Sequence, residues 1–483
     1  MAAERDRLSR LDTAFLCLER DITPMQLGAL AIFQPTRPVP PEQVAALLAQ
    51  RARQLPQLGR RVQRAWFPPG AARWVGVPEF RPEGHIHLHH LDGPGGGGPG
   101  GGGPDGAGPD GARPDGVGQV AELAAELMAR PLPRDRPLWE FHVMSGLGEG
   151  RFAVLVKLHH ALSDGLAARE IGVGLLDGSG LVGPGRAAAA IPAGSTAQGS
   201  SESGRSRARR ALSQPLRLAS GVRVAAGGAL GQAAEVMGVA TAVLRSARLP
   251  SPGSPLVIMS SGRRGLGLAR LELEQVRRIR TRFGGTVNDV LLAVLAGALR
   301  EWLGARGHPV DGLSLRALIP VSRRARAGDR TGGNQMSGYL CELPVAEPDP
   351  GRRLRAIQQA MGHRKAAGPT RGPGAIPLLA DRLPCAVHRV AAPVAGQVAA
   401  LLFDILVTSV PMPRVPLRLD GAELAAVFPI APLAPGHALG VALSCYRGTA
   451  YIGLHADRAA LPDVQGLAEV IPASAAMFDQ GGG

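Results

Sequence analysis

Lysine is almost missing from this chain. Only Lys157 and Lys365 stand among its 54 lysines and arginines, and neither follows a glycine or precedes Ser or Thr. A P-loop, which needs Gly-Lys-Ser/Thr around the phosphates, is therefore excluded. No G-x-S-x-G elbow offers a serine nucleophile, and no H-E-x-x-H helix offers a zinc pair. Cys17, Cys341, Cys385 and Cys445 are far apart, form no C-x-x-C pair, and read as thiols in a reducing compartment. Aromatic residues make up only 4% of the chain, so a core has to be built mainly from Ala, Val and Leu. Glu4, Asp6 and Asp12 do not suit a secretory signal. No apolar run reaches the roughly 18 uninterrupted residues of a spanning helix; the best, 391–410, is broken by Gln397 and Asp404. A cytoplasmic location is the expectation.

What remains is ample for two cores: 483 residues, 45% of them hydrophobic. The net charge of +15 rests on arginine. The accompanying Ala, Gly and Pro bias makes it a matter of composition, so no nucleic-acid partner is expected. An apolar run from Met25 to Phe33 reads as a strand, and Pro41 opens an amphipathic helix to about Arg53. An extended stretch covers 73–91. Residues 93–118 form a Gly/Pro/Asp insert, read as a flexible loop. A helix is predicted over 120–129, strands over 139–144 and 152–158, and a helix from about Asp164. Residues 183–204 read as a linker. Residues 205–248 carry eight arginines against one acid, Glu235, a pattern that suits either a linker packed on both domains or a helix on an anionic membrane surface. Strands are predicted near 313–320, 405–410, 438–446 and 450–456. The organisation is thus a first domain over 1–182, a linker with a basic segment over 183–255, and a second domain over 256–483.

The sharpest local signal is Lys157-Leu158-His159-His160-Ala161-Leu162-Ser163-Asp164-Gly165. An apolar strand runs into two histidines, and an acid and a glycine follow after a short turn. An imidazole, with a pKa near 6.5 when unperturbed, accepts a proton at neutral pH, so the arrangement suits a general base. A carboxylate in the turn can hold the loop or the ring, and Gly165 permits a tight backbone. His85, His87 and His89 alternate on an extended stretch and would share one face, which could suit zinc.

The pattern HHxxxDG resembles the signature of the CoA-dependent acyltransferase superfamily, which includes chloramphenicol acetyltransferase-like enzymes and nonribosomal-peptide condensation domains. Further segments resemble the bacterial wax ester synthase/diacylglycerol acyltransferase family. They are Leu8-Ser9-Arg10-Leu11-Asp12 with Phe15, Thr23 to Gly28, Arg136-Pro137-Leu138-Trp139-Glu140 (a PLW motif), Gly285 to Val290 with Asn288-Asp289 (an ND motif), Ile319 to Ser322, Gly333 to Ser337, Val410 to Pro413 and Ala456-Asp457-Arg458. Gln26, Ser409 and Met412 depart from the residues usual in the family, which bears on acceptor choice more than on reaction type.

The resemblance implies an α/β fold of two chloramphenicol acetyltransferase-like domains, each a mixed sheet flanked by helices, with the active-site channel between them. It implies an O-acyltransferase that esterifies diacylglycerol to triacylglycerol, with wax esters from long-chain alcohols as a further product. His160 would be the general base, with no acyl-enzyme. His159 would support the loop or line the channel, and Asp164, beside Gly165, would be structural and paired with an arginine. Pro137, Leu138 and Trp139 are candidate substrate contacts or core. Asn288 and Asp289 are candidates for the channel wall or for a helix cap. The implied partners are acyl-CoA, diacylglycerol or a long-chain alcohol, and a membrane or lipid-inclusion surface touched peripherally. No cofactor is implied beyond acyl-CoA as substrate, and no metal, since His85 falls where the family has a non-metal histidine. Two other readings are a condensation-type enzyme fed by a carrier protein and a lipid-inclusion surface protein with little turnover.

Overall fold

A computed structural model describes residues 7–64, 71–92, 116–178, 256–322, 336–367 and 401–480, with isolated residues 388 and 399. Most of the insert, 93–115, and the whole linker and basic segment up to 255 lie outside the described residues.

In chain order the first half contributes α1 (Arg10–Leu18), β1 (Gln26–Gln34), α2 (Pro41–Arg53), β2 (Arg60–Arg64), β3 (Ala72–Gly76), β4 (Ile86–His90), α3 (Gly116–Ala129), β5 (Trp139–Ser145), β6 (Phe152–His159) and α4 (Gly165–Gly174). The second half contributes β7 (Arg264–Glu272), α5 (Leu273–Phe283), α6 (Val287–Ala305), β8 (Leu315–Ser322), β9 (Met336–Leu343), α7 (Pro350–Ala367), β10 (Ile405–Pro411), β11 (Arg418–Leu419), β12 (Ala422–Ile430), β13 (Leu439–Tyr446), β14 (Thr449–Asp457) and α8 (Val464–Gln480). The helix after the insert starts at Gly116, earlier than the composition suggests, and Gly116 packs so closely on the Leu147 backbone that a Cβ would meet the carbonyl oxygen at 2.6 Å.

Two six-stranded mixed sheets carry the fold. The first has the order β11-β12-β1-β6-β5-β4, antiparallel except where β4 runs parallel to β5. The second has the order β7-β14-β13-β10-β8-β9, with β10 parallel to both neighbours. The strands do not keep to the division expected at 183–255. β11 and β12 come from the second half yet join the first sheet, where β12 pairs with β1 from Gly28↔Ile430 to Gln34↔Glu423. The physical reason is β1 itself. β6 pairs with one edge of this central strand, and the unpaired N–H and C=O groups of its other edge are met by β12.

The second core centres on α6, whose Val290 to Leu299 are buried on every side. Its N-terminus is a capping box: Thr286 accepts from the Asp289 amide, and Asp289 accepts from the Thr286 amide. Among the described residues no single helix is long and apolar enough to cross a membrane. α5 and α6 would pass such a test only together, and they are bent by 100°.

A buried tie joins the halves. Arg264 pairs with Asp457 at 3.2 Å, with the two side chains 1% and 0% exposed. The same guanidinium donates to the Ile22 carbonyl at 2.6 Å, in the loop ahead of β1.

Candidate active site

β6 positions the histidines. Its alternation puts Val154, Val156 and Leu158 on one face and Leu155, Lys157 and His159 on the other. His159 sits opposite Gln26 of β1, fully buried, and its amide donates to the Leu138 carbonyl at 3.0 Å. The Ala161 amide donates to His159 Nδ1 at 2.9 Å. Nδ1 therefore carries no proton, and the ring proton sits on Nε2. Nε2 faces the Glu19 carboxylate at 3.3 Å. Glu19 also accepts from the Met25 amide at 3.2 Å and from Arg134 at 2.8 Å. Burial would raise this carboxyl, but the hydrogen bond from His159, with the Arg134 hydrogen bond and charge, outweighs it and holds it down at about 2.

His160 has turned out of the strand. Its amide donates to the Met25 carbonyl at 2.9 Å, and Phe15 of α1 stacks on its ring at 4.0 Å between centroids, inclined by 21°. Burial is the largest influence on the imidazole and lowers it from 6.5 to about 4. The Asp164 carboxylate pulls in the opposite direction. The ring is thus neutral at pH 7, and the carboxylate favours the cation formed when it takes a proton. Asp164 itself caps α4, accepting from the Ala167 amide at 2.8 Å. Asp164 is therefore the N-cap of the helix that follows the histidine turn. Gly165 opens α4, and its Cα faces Val410 of β10 across the gap between the halves.

His160 and Gly165 line a cavity of about 150 Å³. One wall is a strand face, with Leu27, Ala29, Ala31 and Phe33 of β1 beside Val154, Val156 and Leu158 of β6. The facing wall comes from the second half, through Leu406, Thr408, Val410 and Met412. Leu27 to Phe33 is seven residues, so the strand face along the slot runs six steps of ~3.3 Å, about 20 Å in all.

The other expected residues stand elsewhere. Pro137, Leu138 and Trp139 are buried where β5 begins beside β6, and are not among the described residues lining the cavity. Trp139 donates from Nε1 to the Leu58 carbonyl at 2.8 Å and stacks on His85 at 4.5 Å. The segment acts as core, and it meets the site through the Leu138 carbonyl, which accepts from the His159 amide, and through the pairing of Trp139 with Leu158. Asn288 and Asp289 do not line the cavity either. Thr286 rather than either of them is the N-cap, with Asp289 as the reciprocal partner of the box. His85 lies in a short turn ahead of β4, so only His87 and His89 share a strand face, and they flank His142. Among the described residues no group of three His, Cys, Asp or Glu side chains could hold a metal ion.

Of the residues departing from the resemblance, Gln26 is buried and donates to the Met128 and Arg130 carbonyls at 2.6 and 2.8 Å, anchoring the end of α3. Met412 lines the cavity, and Ser409 is exposed. Sequence reasoning missed Glu19 and Arg169. Glu19 reads as one acid in a helix-end Leu-Glu-Arg, and nothing local shows that it reaches a histidine 140 positions away.

Comparison with known proteins fits this geometry. The catalytic domain of the wax ester synthase/diacylglycerol acyltransferase family matches residues 8–98 and 112–291, and its C-terminal domain matches 332–477. A probable diacylglycerol O-acyltransferase of Mycobacterium tuberculosis is 31% identical over 474 residues, covering 96% of this chain and 94% of that protein. The chain belongs to the wax ester synthase/diacylglycerol acyltransferase family. The fold agrees with solved structures. The wax ester synthase/diacylglycerol acyltransferase of Marinobacter aquaeolei VT8 superposes with a TM-score of 0.65 at 21% identity, covering 98% of this chain and 99% of that one. The first condensation domain of the CDA synthetase gives 0.54 at 18% identity, covering 98% of each. For this family member the expected α/β architecture of two acyltransferase-like halves therefore holds.

Proposed function

We propose that this chain transfers an acyl group from acyl-CoA to the free hydroxyl of diacylglycerol, giving triacylglycerol, and esterifies long-chain alcohols by the same chemistry. The observation that carries this reading is a buried, neutral imidazole, His160, on the wall of an apolar slot some 20 Å long. A slot of that length and lining suits a long acyl chain. His160 takes the hydroxyl proton as the alcohol oxygen attacks the thioester carbon. The tetrahedral oxyanion then collapses, the C–S bond breaks, and the imidazolium returns its proton to the departing thiolate. Asp164 favours the transient cation. The Glu19–His159–Ala161 chain fixes the turn from which His160 projects. No cofactor enters this scheme.

The acceptors are apolar, so the enzyme would meet them at a membrane or lipid-inclusion surface, with the basic segment 205–248 a candidate for that contact. The family relatives make the carrier-protein and non-enzymatic readings the weaker ones.

The test is a purified-enzyme assay with radiolabelled palmitoyl-CoA offered diacylglycerol or hexadecanol. His160→Ala should fold normally and lose about 10²–10⁴-fold in kcat, the usual contribution of a general base. Wild-type turnover in a folded His160→Ala protein would refute the assignment.

A further inference from the structure

The mechanism leaves one charged group in the cavity unused. α4 presents Gly165, Ala168, Arg169, Gly172 and Val173 to the slot, the spacing of a single helix face. Four of these are small or apolar, and Arg169 is the only permanently charged side chain among the described lining residues. It is 11% exposed. Its one described ionic neighbour is the adjacent Glu170, at 3.9 Å and 57% exposed. Ser444, another polar group of the wall, is already committed, donating to the Val427 carbonyl at 3.1 Å. When an apolar substrate displaces water from the slot, the guanidinium keeps its charge and its five donors, so the substrate has to supply acceptors.

We propose that Arg169 selects the acyl acceptor by donating hydrogen bonds to the ester carbonyls of diacylglycerol. The proposal rests on the acyl-transfer reading above and deepens it. A diacylglycerol carries two ester carbonyls close to its free hydroxyl; a long-chain alcohol carries none. Neutral carbonyls satisfy the planar donor fork without bringing further charge into an apolar slot. The phosphates of CoA would bring several negative charges to a single cation, so they belong outside this cavity.

The experiment uses the full-length enzyme with palmitoyl-CoA and three acceptors: dipalmitoylglycerol, its dialkyl ether analogue, which lacks both carbonyls, and hexadecanol. Wild type should prefer the ester to the ether. Arg169→Met, close in length but without charge, should lower kcat/KM for dipalmitoylglycerol by about 10- to 100-fold, the range of a hydrogen bond to a charged group. Activity on the ether and on hexadecanol should hold or rise, since neither then leaves a buried guanidinium unpaired, and the KM for palmitoyl-CoA should stay close to wild type, so that the ester preference collapses. Arg169→Lys should recover part of it. An equal fall for all three acceptors, or a raised palmitoyl-CoA KM, would overturn the proposal and assign Arg169 to the donor. Should Arg169→Met fail to fold, the wild-type comparison decides: equal use of ester and ether overturns the idea. A wild-type enzyme that esterifies hexadecanol but no glyceride sinks this inference and leaves acyl transfer standing, whereas no turnover with any acceptor sinks both.

Discussion

The pH profile tests the chemistry most directly. An imidazole works as a base only while unprotonated, so activity is lost as pH falls through the pKa of His160. Burial places that value at about 4. At pH 5.5 the neutral fraction is then about 0.97, against about 0.09 for a ring at the ordinary 6.5. The two cases differ tenfold at one accessible pH. The quantity to measure is kcat/KM for the acceptor, which reports the free enzyme, from pH 8 to 5 with palmitoyl-CoA saturating. It should stay flat to about pH 5.5. The same shift bears on stability. The folded value lies below the unfolded one, so the unfolded chain binds the extra proton between pH 6.5 and 4. Stability is complete above 6.5 and falls through that window, by at most about 3 kcal/mol for this ring. His455, also buried and also lowered to about 4, adds a loss of the same sign. Circular dichroism at each pH is therefore needed, and the acid limb should coincide with unfolding. An acid limb centred near 6.5 in a fully folded enzyme would refute the burial argument.

Glu19→Gln keeps the shape and removes the charge facing His159; kcat should fall about 10- to 100-fold with little change in KM, since a displaced base costs rate rather than binding. Unchanged kcat would mean that the pair is only structural. Asp457→Ala strands the buried Arg264 and should cost about 3–5 kcal/mol in urea unfolding. The double change Arg264→Met with Asp457→Leu should recover most of this, and a single variant of wild-type stability would show that the tie is idle. Gly28→Ala would push a Cβ to 2.6 Å from the Val156 carbonyl oxygen. About 1–3 kcal/mol of overpacking is expected, read as a lower thermal midpoint.

Much of the first sheet was legible because its signals are local. Pro41 at the start of α2, the apolar run of β6 and the turn that starts a helix near Asp164 all act within a few residues of themselves, and each element appears where its residues point. The second sheet hid more. β7 opens on Arg-Gly-Leu-Gly, whose glycines weaken a strand signal, and alternates clearly only over Ala269 to Glu272; β12 is buried at most positions and contains Pro429, so it lacks the alternation that marks a strand. Composition could not tell which sheet β12 joins, because that choice depends on the edge left open by β1. In the site, HHxxxDG was readable as a pattern. The division of labour inside it was not, because one histidine is held by Glu19 and the other by Phe15, contacts that only the folded chain creates. Leu138 and Trp139 were readable as either substrate contacts or core, and only the packing around them, both side chains fully buried, shows core.

The borrowed strand has a consequence for biosynthesis. A ribosome finishes the β1–β6 pairing long before it reaches residue 430. At about 5–20 residues per second, the open side of β1 waits roughly 15–55 s for β12. Throughout that interval the nascent chain exposes a sticky apolar ribbon, open to chaperones and to neighbouring copies. For the same reason, severing the chain at 183–255 would not release two autonomous pieces: the amino-terminal fragment would lack its closing strand, and the two fragments should recover activity only when refolded together.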